Sequence, residues 1–418
     1  MSIDLRTRSD HEVETVDAAT FFDDALPSLL AARADLLAPT AGLRLRDLTI
    51  VVSRSDTEGE GVDGEDVDGS AWTLSRDERG SIGVARSGLD DQAAVRLRLT
   101  ETELGDLVTD QISPVGMMTS GTLALEGGPI GRLMDWWLVL RSVLDERPVH
   151  EPGAIRVDAD LGRSFTLDDD PSEMREFLEE AGFLHLREVF DVGDMARISA
   201  DMDEAAPRYV EGDGNSWWAT VDGVGRQVVR MQRFDAVSAA TAELLDDARL
   251  RFVAELPGCG HAALPARGNR VEALFKPIGV TEGISDIPWH KDCSLGRHSY
   301  DCCGLTVGVS VTGAGPTSGQ LRVIAGSHRA FVWPSLLDTD RIGLPEVPLP
   351  TATGDLTVHL SCTLHRAEPP TERERRVLYT GFALPPVDPT ATAAAKRRLL
   401  GVARERAPLT TSQEPALR

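Results

Sequence analysis

From Val271 to about residue 385 the chain offers only short apolar runs, each cut by glycine or proline. A segment of that kind cannot build long helices; it permits strands of a few residues joined by tight turns. Many short strands bury their apolar faces by packing sheet on sheet, so a β-sandwich or jelly roll is the expected architecture. Upstream the pattern differs. Asp170-Pro171-Ser-Glu173 supplies an N-cap, an N1 proline and an N3 glutamate, and Gly182 closes the helix they open. A strand at Phe183-Leu-His-Leu-Arg and a helix over residues 193–205 follow.

The first third mixes both periodicities. Residues 21–37 carry Phe21, Leu26, Leu29 and Leu30 near helical spacing, with Pro39 beyond the end. Val95-Arg-Leu-Arg-Leu99 alternates as a half-buried strand and runs into Thr100-Glu-Thr-Glu103, a capping box. Residues 133–144 form an apolar helix holding Met134, Trp136 and Trp137. Strands with helices at both ends within about 150 residues make a small α+β domain. Arg147-Pro-Val-His-Glu-Pro-Gly153 reads as a linker. The expected division is a flexible N-terminus (1–19), the α+β unit (20–147), a linker (148–164), the β-rich unit (165–388) and a helical or flexible tail (389–418).

Composition narrows the function. A net charge of −24 argues against nucleic-acid phosphate and anionic membrane faces as partners. The five cysteines form no C-x-x-C pair, which suits a reducing cytoplasm, and no apolar run reaches the ~18 residues of a membrane span. The acidic stretch at residues 55–69 contains Gly59, Gly61 and Gly64 in G-x-G-x-x-G spacing, without the strand-to-helix setting that a dinucleotide site needs. Val67 stands where an EF-hand would need glutamate. A solvated loop is expected there.

Chemistry concentrates at Pro288-Trp-His-Lys-Asp292. On a strand, His290 and Asp292 would share one face, and a distant histidine would complete a two-histidine, one-carboxylate set for Fe(II). His365, 75 positions on, is one candidate; His261, His298 and His359 compete with it.

The wording around these residues resembles two families. Val95-Arg-Leu-Arg-Leu-Thr, Ser113-Pro-Val-Gly-Met-Met and Ser120-Gly-Thr-Leu-Ala-Leu-Glu-Gly resemble the sterol-carrier-protein-2-like family, over roughly residues 20–147. That likeness implies a five-stranded sheet and helices around an apolar, lipid- or substrate-accepting tunnel. Against it stands the reading of Met117, Met118, Trp136 and Trp137 as core. Glu179-Glu-Ala-Gly-Phe183, Phe275-Lys-Pro277, the run ending in Gly326-Ser-His328, and Gly354-Asp355 eleven residues before His365 resemble the phytanoyl-CoA dioxygenase family of Fe(II)/2-oxoglutarate oxygenases.

This second resemblance covers about residues 165–385 and implies a double-stranded β-helix (jelly-roll, cupin-like) with flanking helices. It implies His290, Asp292 and His365 as iron ligands and catalytic centre. Arg376 would anchor 2-oxoglutarate, with Arg375 as the alternative if the strand register slips by one; Lys276 would assist with charge. Lys291 and Arg366-Ala367 depart from the family's usual glutamine and Gly-Ser. The implied reaction consumes O2 and 2-oxoglutarate, releases succinate and CO2, and hydroxylates a hydrophobic or carrier-linked small molecule. Trp217, Trp218, Met231, Trp289 and Tyr300 are candidate walls of that site. The alternative is a lipid-binding or transfer protein whose jelly roll is silent or holds a structural metal.

Overall fold

The computed structural model describes residues 16–37, 43, 45–53, 69–89, 95–258, 262–263, 271–283, 285–295, 304–333 and 342–383. The acidic loop up to residue 68, His261, His298, Tyr300 and the tail from 389 lie outside them.

Five strands build the first sheet: β1 (Leu48–Ser53), β2 (Gly69–Arg76), β3 (Ile82–Ser87), β4 (Val95–Thr100) and β5 (Ala124–Glu126), in the order β3-β2-β1-β4-β5. Along β4 the buried Val95, Leu97 and Leu99 alternate with less buried Arg96 and Arg98, the period-two pattern of a strand with one face on a core. At its end Thr100 accepts from the Glu103 amide while the Glu103 carboxylate accepts from the Thr100 amide, the reciprocal cap expected for the helix Glu101–Val108. The apolar helix runs Ile130–Asp145 and lays Leu133, Trp136 and Trp137 into the same core as Met117 and the sheet. Between Phe22, Leu97 and Trp137 that core leaves a cavity of only ≈ 30 Å³.

The second unit has two sheets. The long one is formed by β6 (Phe183–Leu186), β7 (Ser216–Val221), β8 (Gly225–Met231), β9 (Ala262–Ala263), β10 (Val271–Lys276), β11 (Val280–Glu282), β12 (Leu305–Ser310), β15 (Leu356–Leu360) and β17 (Arg375–Ala383). Its order is β11-β7-β8-β10-β17-β12-β15-β6, with β9 also beside β17. The short one is β14-β13-β16, from β13 (Leu321–Ile324), β14 (Glu346–Leu349) and β16 (His365–Ala367). One face of the long sheet carries Ala273, Val307, Val358 and Leu378 into an apolar core shared with the helices Pro171–Ala181 and Val192–Ala205. Registers Thr306↔His359, Gly308↔Tyr379, Lys276↔Arg375 and Glu272↔Tyr379 put those residues together on the opposite face.

Gly182 ends the helix Pro171–Ala181 at φ +85°, and a Cβ there would collide with the His328 ring. The buried His328 donates through Nε2 to the Glu179 carbonyl at 2.9 Å. Burial, reinforced by Arg329 and Lys291, pushes its imidazole down to about 4. A base whose folded pKa lies below its unfolded value of about 6.5 is stable above that pH and loses stability as pH falls towards 4. Urea unfolding at about pH 7 and pH 5 is expected to show roughly 2 kcal/mol of loss from this group. His328→Gln should remove that share of the slope.

The two units meet. Trp333 packs on Gly131, Leu138 and Val149 cluster with Phe331, and the His150 amide donates to the Phe331 carbonyl at 3.0 Å. The helix Pro114–Ser120 packs beside the turn Asp292–Leu295.

Candidate metal centre

The amide of each of His290 and His365 donates to the other's carbonyl at 3.0 Å. This antiparallel bridge sets the two imidazoles side by side, ring centres 4.2 Å apart. Asp292 then opens a one-turn 3-10 segment, Asp292–Leu295, in place of the regular strand expected for His290-x-Asp292. The turn still brings its carboxylate in: Asp292 Oδ1 lies 3.3 Å from His290 Nε2 and 3.5 Å from His365 Nε2. Donor atoms of His290, Asp292 and His365 all fall within 4.8 Å of one another.

Backbone carbonyls orient both rings. His290 Nδ1 donates to Pro288 at 2.7 Å and His365 Nδ1 to Thr363 at 2.9 Å, which leaves each Nε2 lone pair facing the carboxylate. Burial and the neighbouring His359 hold the His365 imidazole well below its usual value, so the ring is neutral. Burial alone would raise the Asp292 carboxyl, but the imidazoles around it, His365 foremost, outweigh burial and hold it well below the usual carboxylate range. Two imidazoles and one carboxylate with converging donors form a facial metal set of the kind that binds Fe(II).

A cavity of ≈ 290 Å³ opens beside these three side chains, with Arg230, Glu272, Lys276, Thr306, Leu321 and Tyr379 in its wall. Lys276 is buried and donates to Asp286 at 2.6 Å and to the Ser285 carbonyl at 2.7 Å. Burial, with Arg375 nearby, pushes its ammonium down to about 8 despite Asp286.

β17 separates the two arginines. Arg376 lies on the helix side of the strand, paired with Asp203 and Glu374 and donating to Ser199. The expectation that Arg376 faces the site is therefore corrected. Arg375 faces inward, 2 % exposed, donating to the Gly319 carbonyl at 2.9 Å and towards the Tyr379 hydroxyl at 3.4 Å. Its Nε has no hydrogen-bond partner, and among the described residues no carboxylate pairs with it. A buried, uncompensated guanidinium is costly, and an anionic ligand would offset it.

Residues 178–377 match the phytanoyl-CoA dioxygenase (PhyH) family. No curated protein matches the chain in sequence. Among solved structures, AviO1 from Streptomyces viridochromogenes is 21% identical, with a TM-score of 0.42, over 53% of this chain and 97% of that one. EctD from S. alaskensis, solved with 2-oxoglutarate and 5-hydroxyectoine, is 18% identical, with a TM-score of 0.43, over 55% and 82%. The non-heme alpha ketoglutarate dependent epimerase SnoN from nogalamycin biosynthesis is 18% identical, with a TM-score of 0.39, over 53% and 88%.

Within the PhyH-matching region the departures have clear places. Lys291 turns away from the cavity, fully buried, and donates to the Ser327 and Ala330 carbonyls at 3.1 and 3.2 Å. Ala367 lines the cavity, while Arg366 stacks over Trp289. Among the described residues, the candidate wall residues Trp217, Trp218, Met231 and Trp289 do not line the cavity. Met231 is core, Trp218 packs on that core, and Trp217 lies under the Arg230 guanidinium. Two further residues touch the centre: Thr306, which sequence reasoning passed over and whose hydroxyl donates to Asp292 Oδ2 at 2.7 Å, and His359, the competitor of His365, whose Nε2 is 3.3 Å from the same oxygen.

Proposed function

We propose that residues 165–388 form an Fe(II)- and 2-oxoglutarate-dependent dioxygenase, with His290, Asp292 and His365 holding the metal and Arg375 anchoring the co-substrate. The observation that carries this reading is the convergence of three donor atoms within 4.8 Å on a cavity wall, with a buried, carboxylate-free arginine paired across the sheet with the cavity-lining Lys276 and directed at the cavity-lining Tyr379. The family match over residues 178–377 supports it. A planar guanidinium suits the distal carboxylate of 2-oxoglutarate by paired hydrogen bonds, with the Tyr379 hydroxyl beside it. Lys276 adds positive charge to the same wall, tethered by Asp286. When bound, the iron would couple decarboxylation of 2-oxoglutarate to activation of O2 for attack on a C–H bond. The chain's own part is to orient the two imidazoles, fix the carboxylate and exclude bulk water.

The cavity also argues about the substrate. Arg230, Glu272 and Lys276 would be left poorly solvated against an acyl chain, and ≈ 290 Å³ suits a compact molecule. These walls favour a small polar substrate over the hydrophobic or carrier-linked one expected from the sequence. The sterol-carrier likeness of residues 20–147 is a proposal about fold only. Its ≈ 30 Å³ interior cavity supports a packed core over a lipid tunnel, since ligand sites run to ~300 Å³ or more.

Anaerobic protein given Fe(II) and 2-oxoglutarate should develop a visible charge-transfer band. Admitting O2 should then yield succinate above a metal-free control. The absence of both would refute the reading.

A further inference from the structure

The two oxygens of Asp292 have different neighbours, and only one of them faces the ligand histidines. Oδ1 sits 3.3 and 3.5 Å from the Nε2 atoms of His290 and His365. Oδ2 points to the long sheet, where the Thr306 hydroxyl donates at 2.7 Å and His359 Nε2 approaches to 3.3 Å. These two holders are not independent accidents. Thr306 on β12 and His359 on β15 are direct cross-strand partners, so the sheet presents both side chains on the face below Asp292.

His359 is fully buried, and its ring packs 4.1 Å from His365, tilted by 47°. It nevertheless stands outside the set of donors that come within 4.8 Å of one another, which comprises His290, Asp292 and His365. With hydrogen on Nε2 it donates to the carboxylate, and its Nδ1 has no hydrogen-bond partner. A ring in that state offers its N–H to a ligand and no lone pair to a metal on the Asp292 side.

We propose that His359 and Thr306 are positioning residues that pin Oδ2 of Asp292, so that the carboxylate ligates through Oδ1 alone and leaves the remaining metal positions open. This rests on the reading of His290, Asp292 and His365 as metal ligands. Partners of this kind fix the orientation of a ligating carboxylate, and their loss lowers metal affinity. Without them the carboxylate is free to rotate, to chelate through both oxygens or to swing out.

The test measures metal binding on the full chain, without substrate or O2. Anaerobic titration gives the Fe(II) affinity, the Co(II)-loaded protein gives a ligand-field spectrum, and thermal unfolding of the metal-free protein reports folding. His359→Ala is expected to weaken Fe(II) binding roughly 10- to 100-fold and to alter the Co(II) bands, with the metal-free midpoint nearly unchanged. His359→Gln places an amide N–H within similar reach and should recover affinity to within about threefold of wild type. Thr306→Val should weaken binding while Thr306→Ser keeps it, which preserves the test if His359→Ala does not fold. Wild-type affinity and an unchanged Co(II) spectrum in both His359→Ala and Thr306→Val would overturn the assignment. So would a loss in His359→Ala as deep as in His290→Ala without rescue by Gln, because His359 would then be a ligand itself. If wild type binds no Fe(II) at all, the ligand reading beneath the proposal fails first.

Discussion

Asp292→Ala is expected to abolish Fe(II)-dependent succinate formation and to weaken Fe(II) binding by roughly 100- to 1,000-fold, with His290→Ala close behind. Structural metal sites of four ligands bind with about 10–16 kcal/mol, so one ligand accounts for about 2.5–4 kcal/mol on average. Asp292 supplies the only carboxylate in the donor set, and its charge offsets that of the cation. Its removal also strips Thr306 and His359 of the acceptor they share. Anaerobic Fe(II) titration and succinate assay separate the two losses. Asp292→Ala protein that turns over at the wild-type rate would end the proposed assignment.

The second large effect divides two adjacent arginines. Arg375→Ala should raise the KM for 2-oxoglutarate roughly 100-fold, about 3 kcal/mol for a pair of charge-assisted hydrogen bonds. Arg375→Lys should recover only part of this, because an ammonium cannot reproduce the planar fork. Arg376→Ala should leave that KM within about twofold, since its guanidinium is engaged by Asp203, Glu374 and Ser199 on the other face of β17. Steady-state kinetics at saturating O2, with metal affinity measured in parallel, gives the comparison. An Arg376→Ala effect as large as that of Arg375→Ala would show that the strand's facing is not what decides anchoring.

What could be read from the sequence was local. The Thr100/Glu103 box and the Asp170-Pro171 start with its Gly182 stop announce themselves within a few residues, and all appear at those positions. Short glycine- and proline-cut runs gave the β-rich second unit for the same reason. Non-local facts were hidden. No spacing rule tells that Thr306 faces His359 across two strands, because that register is set by the whole sheet. The choice between Arg375 and Arg376 turned on a single residue of register, which flips a side chain to the opposite face. His290 and Asp292 were expected to converge through strand alternation, whereas a bridge followed by a 3-10 turn brings them together. Nor does the apolar strand Phe183–Leu186 announce that His185 Nε2 meets Asp355 Oδ2 at 2.9 Å. That carboxylate also accepts from the amides of Glu188 and Ala352.

Gly308 lies directly across from Tyr379 on the cavity face of the long sheet. A Cβ at this position would stand 2.7 Å from Thr357 Oγ1 and 2.9 Å from the Tyr379 ring. The aromatic ring thus rests on a spot where even a methyl group does not fit. A larger residue at Gly308 would press on Thr357 and on the ring of Tyr379, which lines the cavity, so the shape of that wall depends on a side chain that is missing beneath it.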